Sequence, residues 1–137
     1  MHQRKYVLEL ISEVGLAAAK PTLTPIDNNV KLTSKQYDDH VGQTKDSEDS
    51  VPLVDQTFFQ ILIEKLLYLT VTRPDIAFGV QTLSQFLQQP KNSDMEVALR
   101  IVKYIKIHLG QGILLSSTQI NTITTLCDAV WCHILSR

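Results

Sequence analysis

Pro74 stands between two long apolar runs, and its position limits what this chain can fold into more than any other residue does. Proline lacks the N–H that a helix interior needs and clashes with the carbonyl four residues back, so one helix cannot run through it. In a first turn it is tolerated, because the amides there have no intrahelical acceptor. The run Leu66-Leu67-Tyr68-Leu69-Thr70-Val71-Thr72-Arg73-Pro74-Asp75-Ile76-Ala77-Phe78 therefore reads as helix, break and helix. Thr72 is placed to cap the second helix, and Asp75 three positions on completes a capping box.

The flanking periodicity agrees with this reading. From about Gln56 to Thr70, Phe59, Leu62, Ile63, Leu66 and Leu69 share one side. Ile61, Leu67 and Tyr68 lie off that stripe, so the helix is apolar over most of its circumference and is expected to be buried between neighbours. The helix after the break turns Ile76, Val80, Leu83 and Leu87 inward and ends at Gln89-Pro90. A third opens at Ser93-Asp94-Met95-Glu96, a second capping box, and presents Met95, Ala98, Leu99, Val102 and Ile105 inward before stopping at Gly110.

Towards the N-terminus, Val7, Leu10, Ile11 and Val14 follow helical spacing, and Gly15 supplies a stop because it tolerates the left-handed conformation. Lys20-Pro21 and Thr24-Pro25 favour extended chain. Residues 28–54 hold alternating charges and a lone aromatic, Tyr37. Such a stretch buries too little apolar surface to offset its ordering entropy, and it reads as a flexible linker. After Gly112, Ile113-Leu114-Leu115 and Thr122-Ile123-Thr124-Thr125-Leu126-Cys127 read as two short strands forming a hairpin. The expected fold is α+β but mainly α, a small helical bundle with a short C-terminal β-hairpin. Its divisions are 1–27, the linker 28–54, the helical part 55–110 and the C-terminal part 111–137.

Bulk properties exclude several function classes. The 137 residues carry a formal net charge of −1, so the total gives no case for nucleic-acid binding. No signal peptide is expected, since Glu9 and Glu13 interrupt the apolar stretch after Met1-His2-Gln3-Arg4-Lys5. The apolar run from Phe58 to Val71 contains Glu64 and Lys65 and is too short to span a bilayer. A soluble intracellular chain without a membrane partner is expected. Cys127 and Cys132 make no disulfide framework, and with His133 they lack the second ligand pair of a zinc site, so no metal site is expected from them.

Two sets of residues remain as candidates for chemistry. Asp128 ends the second expected strand, where a rigid backbone can aim a carboxylate at a divalent metal. Two-metal chemistry needs several such groups, and no acidic residue follows Asp128. Arg100, Lys103 and Lys106 give the third helix of the bundle a basic outer side suited to phosphate contact. The same placement also fits ordinary helix electrostatics, with Asp94 and Glu96 at the opposite end. Nothing suggests a small-molecule substrate, as Gly-rich phosphate loops, Gly-x-Ser-x-Gly elbows and His-Glu-x-x-His patterns are missing from the sequence.

Several motifs in order resemble the copia-type LTR retrotransposon Pol polyprotein. They are Gln3-Arg4-Lys5-Tyr6-Val7-Leu8-Glu9-Leu10, Lys20-Pro21-Thr22-Leu23-Thr24-Pro25, Lys65 to Leu69 with Arg73-Pro74-Asp75-Ile76, Leu83-Ser84-Gln85-Phe86, and Ala98 to Lys106 with Gly110-Gln111-Gly112. The resemblance implies a thumb and connection region, from the end of the reverse transcriptase to the start of RNase H. Leu126-Cys127-Asp128-Ala129 resembles the first RNase H strand, with Asp128 matching its first metal-binding carboxylate in vestigial form. The C-terminal part would then be the start of a truncated RNase H-like sheet.

The same resemblance implies a segment inactive on its own, with no cofactor of its own, although the parent enzyme would use Mg2+. Arg100, Lys103 and Lys106 would contact an RNA–DNA hybrid in that parent, alongside the missing Pol domains. The alternative expectation is a non-catalytic helical module that binds nucleic acid or a protein. Departures from the family pattern suggest decay: Glu64 stands for a usual glycine, Asp94 for a common histidine, and Val130 for a second aspartate. The resemblance stops after Trp131, and Ile134-Leu135-Ser136-Arg137 can be encoded so that a one-base shift reads Ser-Cys-Pro, as a frameshift would leave it.

Overall fold

The computed structural model describes residues 1–32 and 55–118, together with residues 122, 123 and 125. The described part of the chain contains four α-helices: α1 (Arg4–Glu13), α2 (Gln56–Thr70), α3 (Ala77–Ser84) and α4 (Asn92–Ile105). Short 3-10 turns at Pro74–Ile76 and Lys106–His108 precede α3 and follow α4. No strand occurs among the described residues. None of the described helices is long and apolar enough to cross a membrane.

The termini of these helices follow local chemistry. α1 ends where Gly15 adopts φ +74°, with the Gly15 N–H bonded to the Ser12 carbonyl and the Leu16 N–H to the Ile11 carbonyl, both at 3.1 Å. That pair of bonds is a Schellman closure, as Gly15 suggested. Asp55 caps α2 by accepting from the Thr57 N–H at 3.0 Å. In α4, Lys91 is the N-cap and Asp94 reaches back to accept its N–H at 2.8 Å. The helix thus starts before Ser93, and Asp94 supplies the return half of a cap two residues upstream of the one expected.

One apolar core joins the helices. Val7, Leu10 and Ile11 of α1, Phe59, Leu62, Ile63, Leu66 and Leu69 of α2, and Val80 and Leu83 of α3 are all buried. The α4 face against them is Val97, Ala98, Ile101, Val102 and Ile105, while Met95 and Leu99 lie half-buried at its flank. Two overlapping apolar stripes on α4 both satisfy helical spacing, and Asp94, buried at the cap, belongs to the one that faces inward. Each buried aliphatic side chain contributes about 1.5–3 kcal/mol relative to exposure.

Several expectations give way. α2 is not enclosed on all sides, for Phe58, Ile61, Leu67 and Tyr68 are exposed, and Tyr68 meets Tyr6 of α1 edge to face at 5.0 Å. Glu64 points outward on this same surface, so its charge entails no burial. α3 ends at Ser84, and a series of turns rather than helix leads to Gln89-Pro90. Thr72 is no helix cap. Its hydroxyl donates to Gln3 Oε1 at 3.1 Å and contacts the Leu69 carbonyl at 3.4 Å, tying the break to the entry of α1.

The C-terminal hairpin is also corrected. Ile113 pairs with the N-terminus: its N–H donates to the Met1 carbonyl at 2.9 Å, and the Met1 amine donates back to the Ile113 carbonyl. Leu114 and Ile123 are almost fully exposed, as unpaired apolar residues of the intended hairpin would be. A strand needs one partner's polar backbone, and Met1 already occupies that of Ile113. Most of the linker 28–54, the remaining second strand, Cys127, Asp128, Cys132 and His133 lie outside the described residues.

Candidate nucleic-acid interface and the charged contacts behind it

Arg100, Lys103 and Lys106 all lie on α4 or the turn that follows it, and the structure brings two of them onto the chain's own backbone. Arg100 Nη2 donates to Thr24 Oγ1 at 2.9 Å and Nε to the Thr24 carbonyl at 3.3 Å. Its other nitrogen lies 3.8 Å from Asp27 Oδ2. The Thr22 hydroxyl donates to the Arg100 carbonyl at 3.2 Å, so residues 22–27 are held along the helix. Lys20-Pro21 and Thr24-Pro25 keep this segment from coiling, which leaves its carbonyls available.

Lys106 closes the turn that follows α1. Its ammonium donates to the carbonyls of Leu16 (3.3 Å), Ala17 and Ala19 (2.8 Å). Three donors on a compact cation match three carbonyl oxygens of the turn beyond α1. Lys103, half-buried between these two clamps, makes no hydrogen bond or ion pair among the described residues. It lines a groove of about 500 Å³ together with Asp27, Val97, Leu99, Arg100 and Glu96. Two carboxylates share that groove, so this surface is mixed in sign rather than a continuous basic track.

The best-built polar cluster was not singled out by the sequence reading. Arg73 is 2% exposed, the largest of the fully buried side chains. Its Nε and Nη2 donate to Asp75 Oδ1 and Oδ2 at 2.9 and 2.7 Å, and Nη1 donates to the His108 carbonyl at 3.1 Å. The guanidinium carbon lies 5.8 Å from the centre of the Tyr104 ring. A planar fork gripping both oxygens of one carboxylate is the strong form of this contact. It joins the break after α2 to the end of α4.

The protonation equilibria reflect these contacts. The hydrogen bonds from Arg73 hold the Asp75 carboxyl below the ordinary carboxylate range, against the opposing effect of burial. The same bonds push the Arg73 guanidinium further up. Burial first, and the nearby Asp75 carboxylate second, push the Tyr104 hydroxyl up. The signal that could have found the cluster is the Arg73-Pro74-Asp75 spacing itself. A proline fixes the backbone between two opposite charges that can then meet over one turn.

The remaining site expectations are quickly placed. Asp128, matched by resemblance to a metal-binding carboxylate, lies outside the described residues. Among the described residues no three His, Cys, Asp or Glu side chains come together. Lys65 of α2 pairs with Glu13 of α1, another internal tether.

Comparison with known proteins places this arrangement in context. The chain is 30% identical over 131 residues to the retrovirus-related Pol polyprotein from transposon RE1 of Arabidopsis thaliana, a match covering 96% of this chain and 8% of that protein. It is 30% identical over 107 residues to the corresponding polyprotein from transposon TNT 1-94 of Nicotiana tabacum, covering 77% of this chain and 8% of the relative. An uncharacterized mitochondrial protein of Arabidopsis thaliana is 26% identical over 131 residues, which is 96% of this chain and 49% of that protein. The chain therefore spans less than a tenth of the Pol polyproteins it matches and about half of the mitochondrial relative. No protein-family model matches the chain, and no solved structure matches it.

Proposed function

With the chain placed among the retrovirus-related Pol polyproteins of transposons, of which it matches one segment, we propose that it is a non-catalytic helical connector. In this reading it joins the reverse transcriptase and RNase H regions of a copia-type polyprotein. The observation that carries the reading is where the charges go. Arg73, Arg100, Lys106 and Lys65 bind Asp75, the Thr24–Asp27 segment, the Leu16–Ala19 carbonyls and Glu13. These four cations, which could otherwise contact a template, are engaged within the chain itself, holding its turns and loops to the helices. A rigid, self-tethered bundle is what a connector needs in order to set the spacing of the domains on either side.

Asp128, the vestigial RNase H carboxylate of this reading, does not by itself make a two-metal centre. Purified chain, shown to be helical by circular dichroism, should neither extend a primer on an RNA template nor cleave the RNA of a hybrid when Mg2+ is added. Extension or cleavage above a buffer control would overturn the connector reading.

A nucleic-acid contact is the second reading, favoured by one observation: Lys103 sits between two cations and has no partner among the described residues. Binding of an RNA–DNA hybrid would then weaken with salt, and Lys103→Glu would reduce the salt slope by about one phosphate contact. A slope unchanged by that substitution would remove Lys103 from the interface.

A further inference from the structure

Leu23, Phe78 and Leu114 are 86%, 78% and 94% exposed, yet their backbones are held very differently. Phe78 lies inside α3, where helical hydrogen bonds keep the chain coiled. Leu23 stands between Pro21 and Pro25, and its two neighbours are tied to Arg100. The Thr22 hydroxyl donates to the Arg100 carbonyl at 3.2 Å, and Arg100 Nη2 donates to Thr24 Oγ1 at 2.9 Å. Leu114 has neither restraint. Gln111–Ser117 contains no helix or turn, and Leu115 beside it is 71% exposed. Among the described residues no hydrogen bond reaches the backbone of Gly112, Leu114, Leu115 or Ser116. Only Ile113 is fastened, its N–H donating to the Met1 carbonyl at 2.9 Å and its carbonyl accepting from the Met1 amine.

We propose that the Leu114–Leu115 peptide bond is a proteolytic cleavage site, taken by an endopeptidase with an apolar pocket for Leu114. A protein bound as an added strand is read through the backbone groups of alternate residues, with pockets for the side chains between. Ile113 turns its groups to Met1, which leaves those of Gly112, Leu114 and Ser116 for the opposite edge. A helix or a tethered loop has to open before its chain can be laid out in this way, and that opening costs free energy. The Gly112–Ser116 stretch carries no such cost. In the hydrolysis the Leu114 C–N bond breaks, and water supplies the oxygen of a new Leu114 carboxylate and the proton of a new Leu115 amine. Water is the sole co-reactant. The product ending at Leu114 retains all four helices and the Met1–Ile113 pair, while residues 115–137, Asp128 among them, lose their covalent link to the bundle. The inference stands on exposure and backbone bonding and does not require the reverse transcriptase reading.

The test is brief digestion of the full, folded chain with chymotrypsin, which cuts after leucine and phenylalanine, with the products weighed by mass spectrometry. Fragments ending at Leu114 should form roughly tenfold or more faster than fragments ending at Leu23 or Phe78, although phenylalanine is the preferred residue of this protease. Leu115→Pro places a proline after the scissile bond at an amide that has no acceptor among the described residues. That variant should lose the fragments ending at Leu114 and keep the helical circular dichroism of the native chain. Cleavage after Leu23 or Phe78 as fast as after Leu114, a first cut after Leu115 instead, or an intact Leu114–Leu115 bond would each overturn the proposal. So would fragments ending at Leu114 that persist in Leu115→Pro.

Discussion

Arg73 and Asp75, separated only by Pro74, grip each other through two charge-assisted hydrogen bonds of 2.9 and 2.7 Å. The pair is lopsided: the arginine side chain is 2% exposed and the aspartate side chain 26%. Removing either partner therefore has a different consequence. Asp75→Ala strands a guanidinium in the interior and should cost about 3–5 kcal/mol, the range for breaking a buried pair. Arg73→Met keeps much of the apolar stem and leaves a carboxylate that water can reach, so a loss of about 1–3 kcal/mol is expected. Urea denaturation of the two variants checks the order, and an equal or reversed ranking would show that Arg73 is not the buried member.

The pair also sets an acid limb to stability. A carboxyl whose folded pKa lies below its unfolded value of ~3.9 stabilises the fold fully above that value. The contribution is lost as pH falls through the lower folded value. Asp75 is held down in this way by Arg73. The gap in urea midpoint between the native chain and Asp75→Asn should be constant above about pH 5 and should narrow as the pH falls towards 2. A gap that widens on acidification would assign the shift the wrong sign.

The three basic residues of α4 and its following turn should separate by role. Lys106→Glu puts a carboxylate against the carbonyls of Leu16 and Ala19 and should destabilise by about 1–3 kcal/mol. Lys103→Glu should stay within about 0.5 kcal/mol, as surface substitutions without partners do. Thermal unfolding of both variants distinguishes clamp from bystander, and equal losses would refute the assignment.

Gly79 provides a test of packing. A Cβ at this position would lie 2.8 Å from Ile26 Cδ1 and 3.1 Å from Ile101 Cδ1. Alanine gains about 1 kcal/mol of helix propensity, which this crowding opposes. Ile26→Val removes the closest methyl, so Gly79→Ala should be more favourable in the Ile26→Val background than alone. A double-mutant cycle in urea reads that coupling, and strict additivity would mean that the two residues do not meet.

How far the sequence foretold this structure depends on what kind of signal each residue carried. The inner faces of α1, α2 and α3 were legible because burial follows the helical period, and Gly15 marked a stop that only a left-handed residue fits. The fate of Thr72 and Asp75 was not, because a capping box and an arginine chelate use the same residues. Arg73 was overlooked since arginine is usually a surface residue, and burial here depends on a carbonyl of His108 far along the chain. The basic side of α4 was legible as a face. Its attachment to residues 16–27 was not, for backbone carbonyls leave no mark in the side-chain pattern. Ile113-Leu114-Leu115 had the composition of a strand, but composition does not name a partner, and the partner found is Met1. Glu64 and Asp94, expected as signs of decay, sit respectively on the surface and in a working cap.

The connector reading meets its most direct test in one assay, primer extension by the purified, folded chain on an RNA template with Mg2+ and all four deoxynucleotides. The expected result is no extended product at any protein concentration, with the helical signal retained throughout. Templated extension by this chain would contradict it, because the residues assigned to scaffold contacts would then be supporting chemistry.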